Sequence, residues 1–353
     1  MLGLYVHIPY CKSICYYCDF PKRVFLDYDK YIDHLEKEYD KYNLTYDTVY
    51  IGGGTPSSLP IESVKRLISF LPDAKEFTFE CNPNDISTEL LEAIKSKVTR
   101  ISLGVQTFDN QKLKEIGRTH TEEDINKSIE LIKKYDFDLN IDMMYGLPNQ
   151  SVKSVNDDLV KLIDIHPDHI SYYSLILEEK SVFGKRQYKN ALNLLTQEED
   201  SALYLLVREH LKKNRYIHYE ISNFCLEGKE SLHNLKYWSN QEYIGIGMGA
   251  ASYYSDSRYQ NDLTVNGYYK GVLSTETITD TDKMFYHLML GFRLVNGVSV
   301  SNFTKMFGKS MFEVYPNLND LINDLLIIED DIIKPTEKGL LLNNEIMLHL
   351  MED

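Results

Sequence analysis

The sequence predicts an α/β protein. An incomplete parallel (βα)6 barrel is expected over residues 1–175, a barrel-flanking segment over 176–280, and a winged-helix-like α+β domain over 281–353. Three observations predict this. Short apolar runs alternate with helical stretches through the first half, which implies a parallel sheet with right-handed crossovers. Polar or glycine-rich residues follow successive runs, and the strand C-termini of a parallel barrel share one rim. The C-terminal stretch reads as helices followed by a hairpin.

Taken in order, the strand-like runs are Leu2–Ile8, Thr48–Ile51, Phe77–Cys81, Arg100–Val105, Leu139–Met143 and His169–Ser174. Helical stretches separate them at Asp29–Tyr42, Ile61–Phe70, Thr88–Lys95, Glu122–Tyr135 and Val152–Ile165. Residues 176–280 are less regular, with one helix over Gln197–Lys213 and the phrases His233-Asn-Leu-Lys-Tyr-Trp238 and Gly245-Ile-Gly-Met-Gly249. Helices follow at Asp282–Leu294, Val300–Phe307 and Ser310–Leu325. A hairpin over Leu326–Pro335 turns at Glu329-Asp330-Asp331, and Thr336 caps a final helix.

Composition narrows the function. A net charge of −15 over 353 residues disfavours nucleic acid as a partner. The stretch Met311–Leu326, where a recognition helix would sit, has no Lys or Arg, so a lid or docking surface is expected there. The charge also gives an anionic ligand no general attraction, so such a ligand needs a local basic or apolar pocket. No run reaches the ~18 apolar residues of a membrane span. The chain enters its first strand without a basic leader, so a cytoplasmic location is expected. Five cysteines, three of them clustered, point to metal rather than disulfides.

The strand ends carry the chemistry. Cys11, Cys15 and Cys18 follow the first strand at C-x3-C-x2-C spacing. Thiolates ligate Fe–S clusters, and three of them leave one iron of a four-iron cluster open. A zinc site completed by Cys81 or His7 is the alternative, and it explains none of the other strand ends. Gly52-Gly53-Gly54-Thr55-Pro56 follows the second strand, where glycines allow close backbone approach to an amino acid's termini. Glu80 ends the third strand, placed to accept two ribose hydroxyls or to serve as a salt-bridge carboxylate. Gln106 ends the fourth and Asp142 the fifth. Arg118 is read either as a carboxylate grip or as an internal partner of Asp142. Cys81 and Cys225 read as packed thiols.

The phrase from Tyr5 to Phe20 resembles the radical-SAM family, in the branch holding the oxygen-independent coproporphyrinogen III oxidases and the HemW-type haem chaperones. The resemblance covers essentially the whole chain and implies the same partial (βα)6 barrel. It implies a [4Fe–4S] cluster on Cys11, Cys15 and Cys18, with S-adenosylmethionine (SAM) on the fourth iron. SAM would then lie against Tyr5, Tyr17, Gly53, Gly54, Thr55 and Glu80, and Gln106, Arg118 and Asp142 match positions of a second SAM site in the oxidases. The glycines of Gly245–Gly249 would allow close approach to SAM. His233 of the H-N-x-x-Y-W phrase would ligate haem iron, with Tyr237 and Trp238 packing beside it. Three features favour the chaperones. Phe20 stands where the oxidases place a further cysteine, their long segment before the cluster has no counterpart ahead of Cys11, and His233–Trp238 matches the chaperone pattern. The expectation is a haem-binding protein that delivers haem to acceptor proteins, meeting a membrane only through an acceptor. The alternatives are oxidative decarboxylation of coproporphyrinogen III to vinyl groups, and methyl transfer or haem breakdown by a close relative. Whether SAM is cleaved stays open.

Overall fold

The computed structural model describes residues 1–25, 27–189 and 191–351. All six expected runs form strands: β1 Leu2–Ile8, β2 Tyr46–Gly53, β3 Glu76–Cys81, β4 Arg100–Gln106, β5 Asp138–Tyr145 and β6 His169–Ser174. They pair in chain order, every pair parallel. Helices Tyr28–Tyr39, Ile61–Phe70, Thr88–Ile94, Glu122–Ile132 and Val152–Ile165 connect them. A short helix, Asn110–Glu115, is capped by Asp109 and has no clear signal in the apolar periodicity.

Alternation along the strands sorts the two faces of the sheet. Leu4, Val6, Ile8, Val49, Ile51, Phe77, Phe79, Ile101, Leu103, Ile141 and Ile170 join the helices in one continuous core. The residues between them face the concave side. Several of these are polar and buried as well, among them His7, Thr48, Glu76, Arg100, Ser102 and His169. The half-barrel therefore encloses a polar lumen.

The flanking segment is more regular than its sequence indicates. Its helix forms over Gln197–Lys213, opened by a capping box of Thr196 and Glu199. Its short strands extend the barrel sheet at both edges. β7 Ile217–Glu220 and β8 Asn223–Cys225 add antiparallel beyond β6. β9 Tyr243–Ile246 pairs parallel with β1, and β10 Ala251–Tyr254, β11 Ser257–Asn261 and β12 Leu273–Thr277 follow antiparallel. Among the described residues this makes one twelve-stranded sheet, β12-β11-β10-β9-β1-β2-β3-β4-β5-β6-β8-β7. Strands of three to five residues are too short for a period-2 pattern to stand out.

The C-terminal module has its own core of Met284, Leu288, Phe292, Phe303, Leu326 and Ile333. Helices Asp280–Gly291 and Val300–Phe307 pack there with a small sheet, β13 Val298–Ser299, β14 Leu326–Glu329 and β15 Ile332–Pro335. The hairpin turns through Asp330 at φ +51°. The expected helix Ser310–Leu325 is instead two short turns, Met311–Val314 and Leu318–Leu321. Pro316 lies between them, lacking the N–H that would continue the helix.

One buried carboxylate ties the β9–β11 edge to the barrel. Glu38 accepts from Gly247 N at 2.9 Å, Asn261 Nδ2 at 2.7 Å and Tyr268 Oη at 2.7 Å. Removing it orphans three donors, which costs more than the bonds themselves contribute. Glu38→Ala should therefore lower unfolding stability by roughly 2–4 kcal/mol in urea titration, and Glu38→Gln by less, because an amide oxygen still accepts. A loss below about 0.5 kcal/mol in Glu38→Ala would refute this role.

Candidate functional site

Pro9 ends β1, and the chain enters a loop carrying Cys11, Cys15 and Cys18. Backbone bonds fix that loop: Cys11 N donates to Arg23 O at 2.9 Å, and Tyr16 N to Ile116 O at 2.9 Å. His7 holds its exit. Its Nε2 donates to Pro21 O at 2.9 Å, so Nδ1 is the acceptor for Tyr5 Oη at 2.9 Å. The strand ends then converge. A cleft of about 180 Å³ is lined by Cys11, Cys15, Cys18, Tyr17, Gly53, Gly54, Thr55, Glu80, Gln106, Arg118 and Asp142. Of the residues expected at the cofactor site, Tyr5, His233 and the glycines of Gly245–Gly249 lie elsewhere. A second recess of about 600 Å³ shares Tyr17, Cys18, Phe20, Glu80, Asp142 and Tyr173 with it.

The donor set fits an iron–sulfur cluster better than zinc. The three loop cysteines are free. Thr55 Oγ1 lies 3.5 Å from Cys11 Sγ, and Arg118 Nη1 lies 3.7 Å from Cys15 Sγ, so two donors already face sulfur. Burial pushes the Cys11 thiol up to about 11, with Thr55 opposing the shift. The buried Nε of Arg118 has no hydrogen-bond partner, leaving cationic capacity at the cleft. Neither fourth ligand of the zinc alternative is available. Cys81 borders the cleft but is buried in the apolar core, with its Sγ 3.9 Å from Phe79 O, and both nitrogens of His7 are in use. Among the described residues no three His, Cys, Asp or Glu side chains converge on a single ion. A cubane spreads its thiolates over several irons instead.

At the rim, Glu80 accepts from Tyr50 Oη at 2.8 Å and Gly53 N at 3.1 Å. Asp142 accepts from Asn140 Nδ2 at 2.8 Å and Ser102 Oγ at 3.0 Å. Burial raises the pKa of both carboxyls, that of Glu80 to about 7, with the Asp142 charge the second cause there. Arg118 does not pair with Asp142. It donates to Asn82 Oδ1 at 2.9 Å and Gly104 O at 2.7 Å, and so spans from the third and fourth strand ends to the cysteine loop. Gln106 sits at φ +72°, beside a bulge in the β4–β5 register, and accepts from Tyr173 Oη at 2.8 Å. A strained non-glycine backbone at such a rim marks a site held by its surroundings.

The glycines serve packing more directly than ligand approach. Gly53 has φ +107°, and a Cβ there would meet the His7 ring at 2.4 Å. A Gly53→Val change would thus disturb the β1–β2 junction itself. The glycines of Gly245–Gly249 do not line the cleft. Gly247, at φ +104°, lets the chain pass within 2.5 Å (Cβ position) of His7 O.

His233 is the clearest departure from expectation. It is 1% exposed, in helix Leu232–Trp238. Nδ1 is bonded to Thr48 Oγ1 at 2.9 Å and Nε2 to Tyr237 Oη at 2.8 Å. Neither nitrogen is open to an iron, so ligation by His233 would require breaking both bonds and moving the helix. That helix floors the barrel. Glu76, the first residue of β3, accepts from Leu232 N at 2.9 Å and His233 N at 2.8 Å, and Lys236 Nζ donates to Met1 O at 3.0 Å. Tyr5 likewise belongs to the lumen, bonded to His7.

The residues that brace the rim, Tyr50, Ser102, Asn140 and Tyr173, escape motif reading. Their signal is positional: each lies an even number of residues from a strand-end group on its own strand or faces the lumen beside one. Glu80 allows a test. A raised carboxyl pKa means the folded state holds its proton more tightly than the unfolded chain does. That stabilisation is complete below about pH 4.5 and is lost as pH rises through about 7. In cluster-free protein, Glu80→Gln should melt like wild type near pH 4.5 and above it at pH 8. Equal melting temperatures at pH 8 would show that Glu80 is solvated.

Comparison with known proteins accords with this geometry. The Radical SAM superfamily model matches residues 5–162, and the HemN C-terminal domain model matches residues 278–342. A protein of Lactococcus lactis named heme chaperone HemW is 39% identical, over 99% of this chain and 97% of its own. The Bacillus subtilis protein of the same name is 35% identical over 98% of each chain, and that of Escherichia coli 31% over 99% and 98%. Among solved structures, the E. coli coproporphyrinogen III oxidase HemN superposes with a TM-score of 0.85 at 22% identity, over 99% of this chain and 89% of its own, a likeness of fold. With near-full-length relatives above 30% identity and a cleft built at its strand ends, the chain belongs to the HemW family of radical-SAM heme chaperones.

Proposed function

We propose that this protein is a haem chaperone built on a radical-SAM core, binding haem and passing it to acceptor proteins. The observation that carries this reading is the similarity to HemW relatives along nearly the entire chain. Cys11, Cys15 and Cys18 are the proposed ligands of a [4Fe–4S] cluster. SAM is proposed to lie against Gly53, Gly54, Thr55 and Glu80, with Tyr17, Gln106, Arg118 and Asp142 around it. Radical-SAM membership implies both groups, and what they supply when bound is one-electron chemistry at the sulfonium. The chain's own groups orient and shield. Arg118 neutralises charge beside Cys15, Thr55 donates toward Cys11 Sγ, and the Glu80 carboxylate offers two acceptor oxygens to a nucleoside. Delivery in the cytoplasm is the proposed setting. Among the described residues no helix is long and apolar enough to cross a membrane.

The oxidase reading rests on a shared fold, and fold alone does not carry an activity. Phe20 replaces the further cysteine of the oxidases and is 64% exposed at the cleft mouth. After anaerobic reconstitution the protein should therefore bind haem and fail to form vinyl groups from coproporphyrinogen III. Efficient SAM-dependent vinyl formation would overturn the chaperone reading. Alanine at Cys11, Cys15 or Cys18 should each abolish the brown chromophore, whereas Cys81→Ala and Cys225→Ala, both core thiols, should keep it. Retention of full iron in Cys15→Ala would refute the ligand set.

A further inference from the structure

We propose that haem is held outside the radical-SAM cleft, in the crevice between helix Leu232–Trp238 and the C-terminal module, with His287 as its iron ligand. This rests on the chaperone reading and adds the cargo site to it. The crevice, of about 580 Å³, is lined by Trp238, His287, Leu294, Val298, Lys305 and Met306, among others. Small-molecule sites span about 300–1,000 Å³.

Of the residues that line this crevice, His287 is the one imidazole. His7, His169 and His233 each have both ring nitrogens hydrogen-bonded. His287 is half-buried between the rings of Phe303 and Phe307, at 5.9 and 5.8 Å, and has no hydrogen-bond partner among the described residues. Burial alone holds it in the neutral form, with a lone pair free for a metal. The surroundings suit an apolar ring bearing carboxylates. Met306 is 60% exposed beside the crevice. Lys305 is exposed with no acidic partner among the described ion pairs, and is free to meet a propionate. Trp238 also lines the crevice, with the Arg293 guanidinium 4.3 Å over its ring, and its buried Nε1 has no partner.

The placement also accounts for the H-N-x-x-Y-W phrase. His233 and Trp238 are five residues apart, about 140° around a helix. The histidine anchors the helix to the barrel floor, and the tryptophan faces the crevice.

Haemin titration of the full-length, cluster-loaded protein, read at the Soret band, tests this. His287→Ala should weaken binding by roughly tenfold or more, on the scale of losses at metal-site partners. It should also shift the Soret band while the Fe–S absorbance stays unchanged, and added imidazole should restore the wild-type band. Lys305→Glu, at an exposed position, should weaken binding without moving the band. His233→Gln should leave the Soret position as in wild type. Wild type that binds no haem would overturn the chaperone reading itself. Wild-type binding with His287→Ala unchanged in affinity and band, or with the ligand signature lost in His233→Gln instead, would overturn only the His287 site.

Discussion

The half-barrel depends on satisfying the polar groups enclosed on its concave face. Buried polar atoms are costly unless hydrogen-bonded, and here they form a connected ladder from floor to rim. At the floor Arg100 lies 3.4 Å from Glu76 and donates to Lys229 O and Glu230 O at 3.0 and 3.1 Å. One layer up, His169 donates from Nδ1 to Asn140 Oδ1 at 2.7 Å and accepts from Tyr219 Oη at 2.7 Å. Asn140 then donates to Ser102 Oγ and to Asp142, both at 2.8 Å. The flanking segment supplies Tyr219, the Lys229 and Glu230 carbonyls and the floor helix. An open half-barrel without them would leave Arg100 without its carbonyl acceptors and Glu76 without its backbone donors.

That ladder divides stability from function along one axis. At the floor, Arg100 lies beside Glu76 and its Nη2 is met by two backbone carbonyls, while its Nε and Nη1 have no hydrogen-bond partner. At the rim, Glu80 and Asp142 are held close together with raised pKa values, and Gln106 adopts an unfavourable backbone conformation. Such groups destabilise the free protein and suit a ligand that arrives later with complementary donors. The cysteine loop belongs to the same rim, tied down through His7 to Pro21 and through Tyr16 to the turn that carries Arg118.

The C-terminal module has a separate core and meets the barrel at helix Leu232–Trp238. One face of that helix closes the lumen and the other borders an apolar crevice. The arrangement gives the molecule two chemically different recesses, one rimmed by thiols and carboxylates and one by an aromatic ring, an imidazole and an exposed lysine.

By itself the sequence determined the six-strand core and the cleft. Alternation in segments such as Leu2–Ile8 and Arg100–Gln106 is a local property, and strand ends in a parallel barrel must share a rim, so Cys11, Gly53, Glu80, Gln106 and Asp142 could be brought together without coordinates. The short strands β7–β12 stayed hidden because three to five residues hold too little periodicity, and Pro316 divides what read as one helix. Only the tertiary structure decided the partners. Arg118 meets Asn82 and Gly104 rather than Asp142, because the turn that carries it approaches from the side of the cysteine loop. His233 lies under the barrel with both nitrogens occupied. A motif names a side chain, but whether its lone pair is free depends on residues as remote as Thr48, which no spacing along the chain reveals.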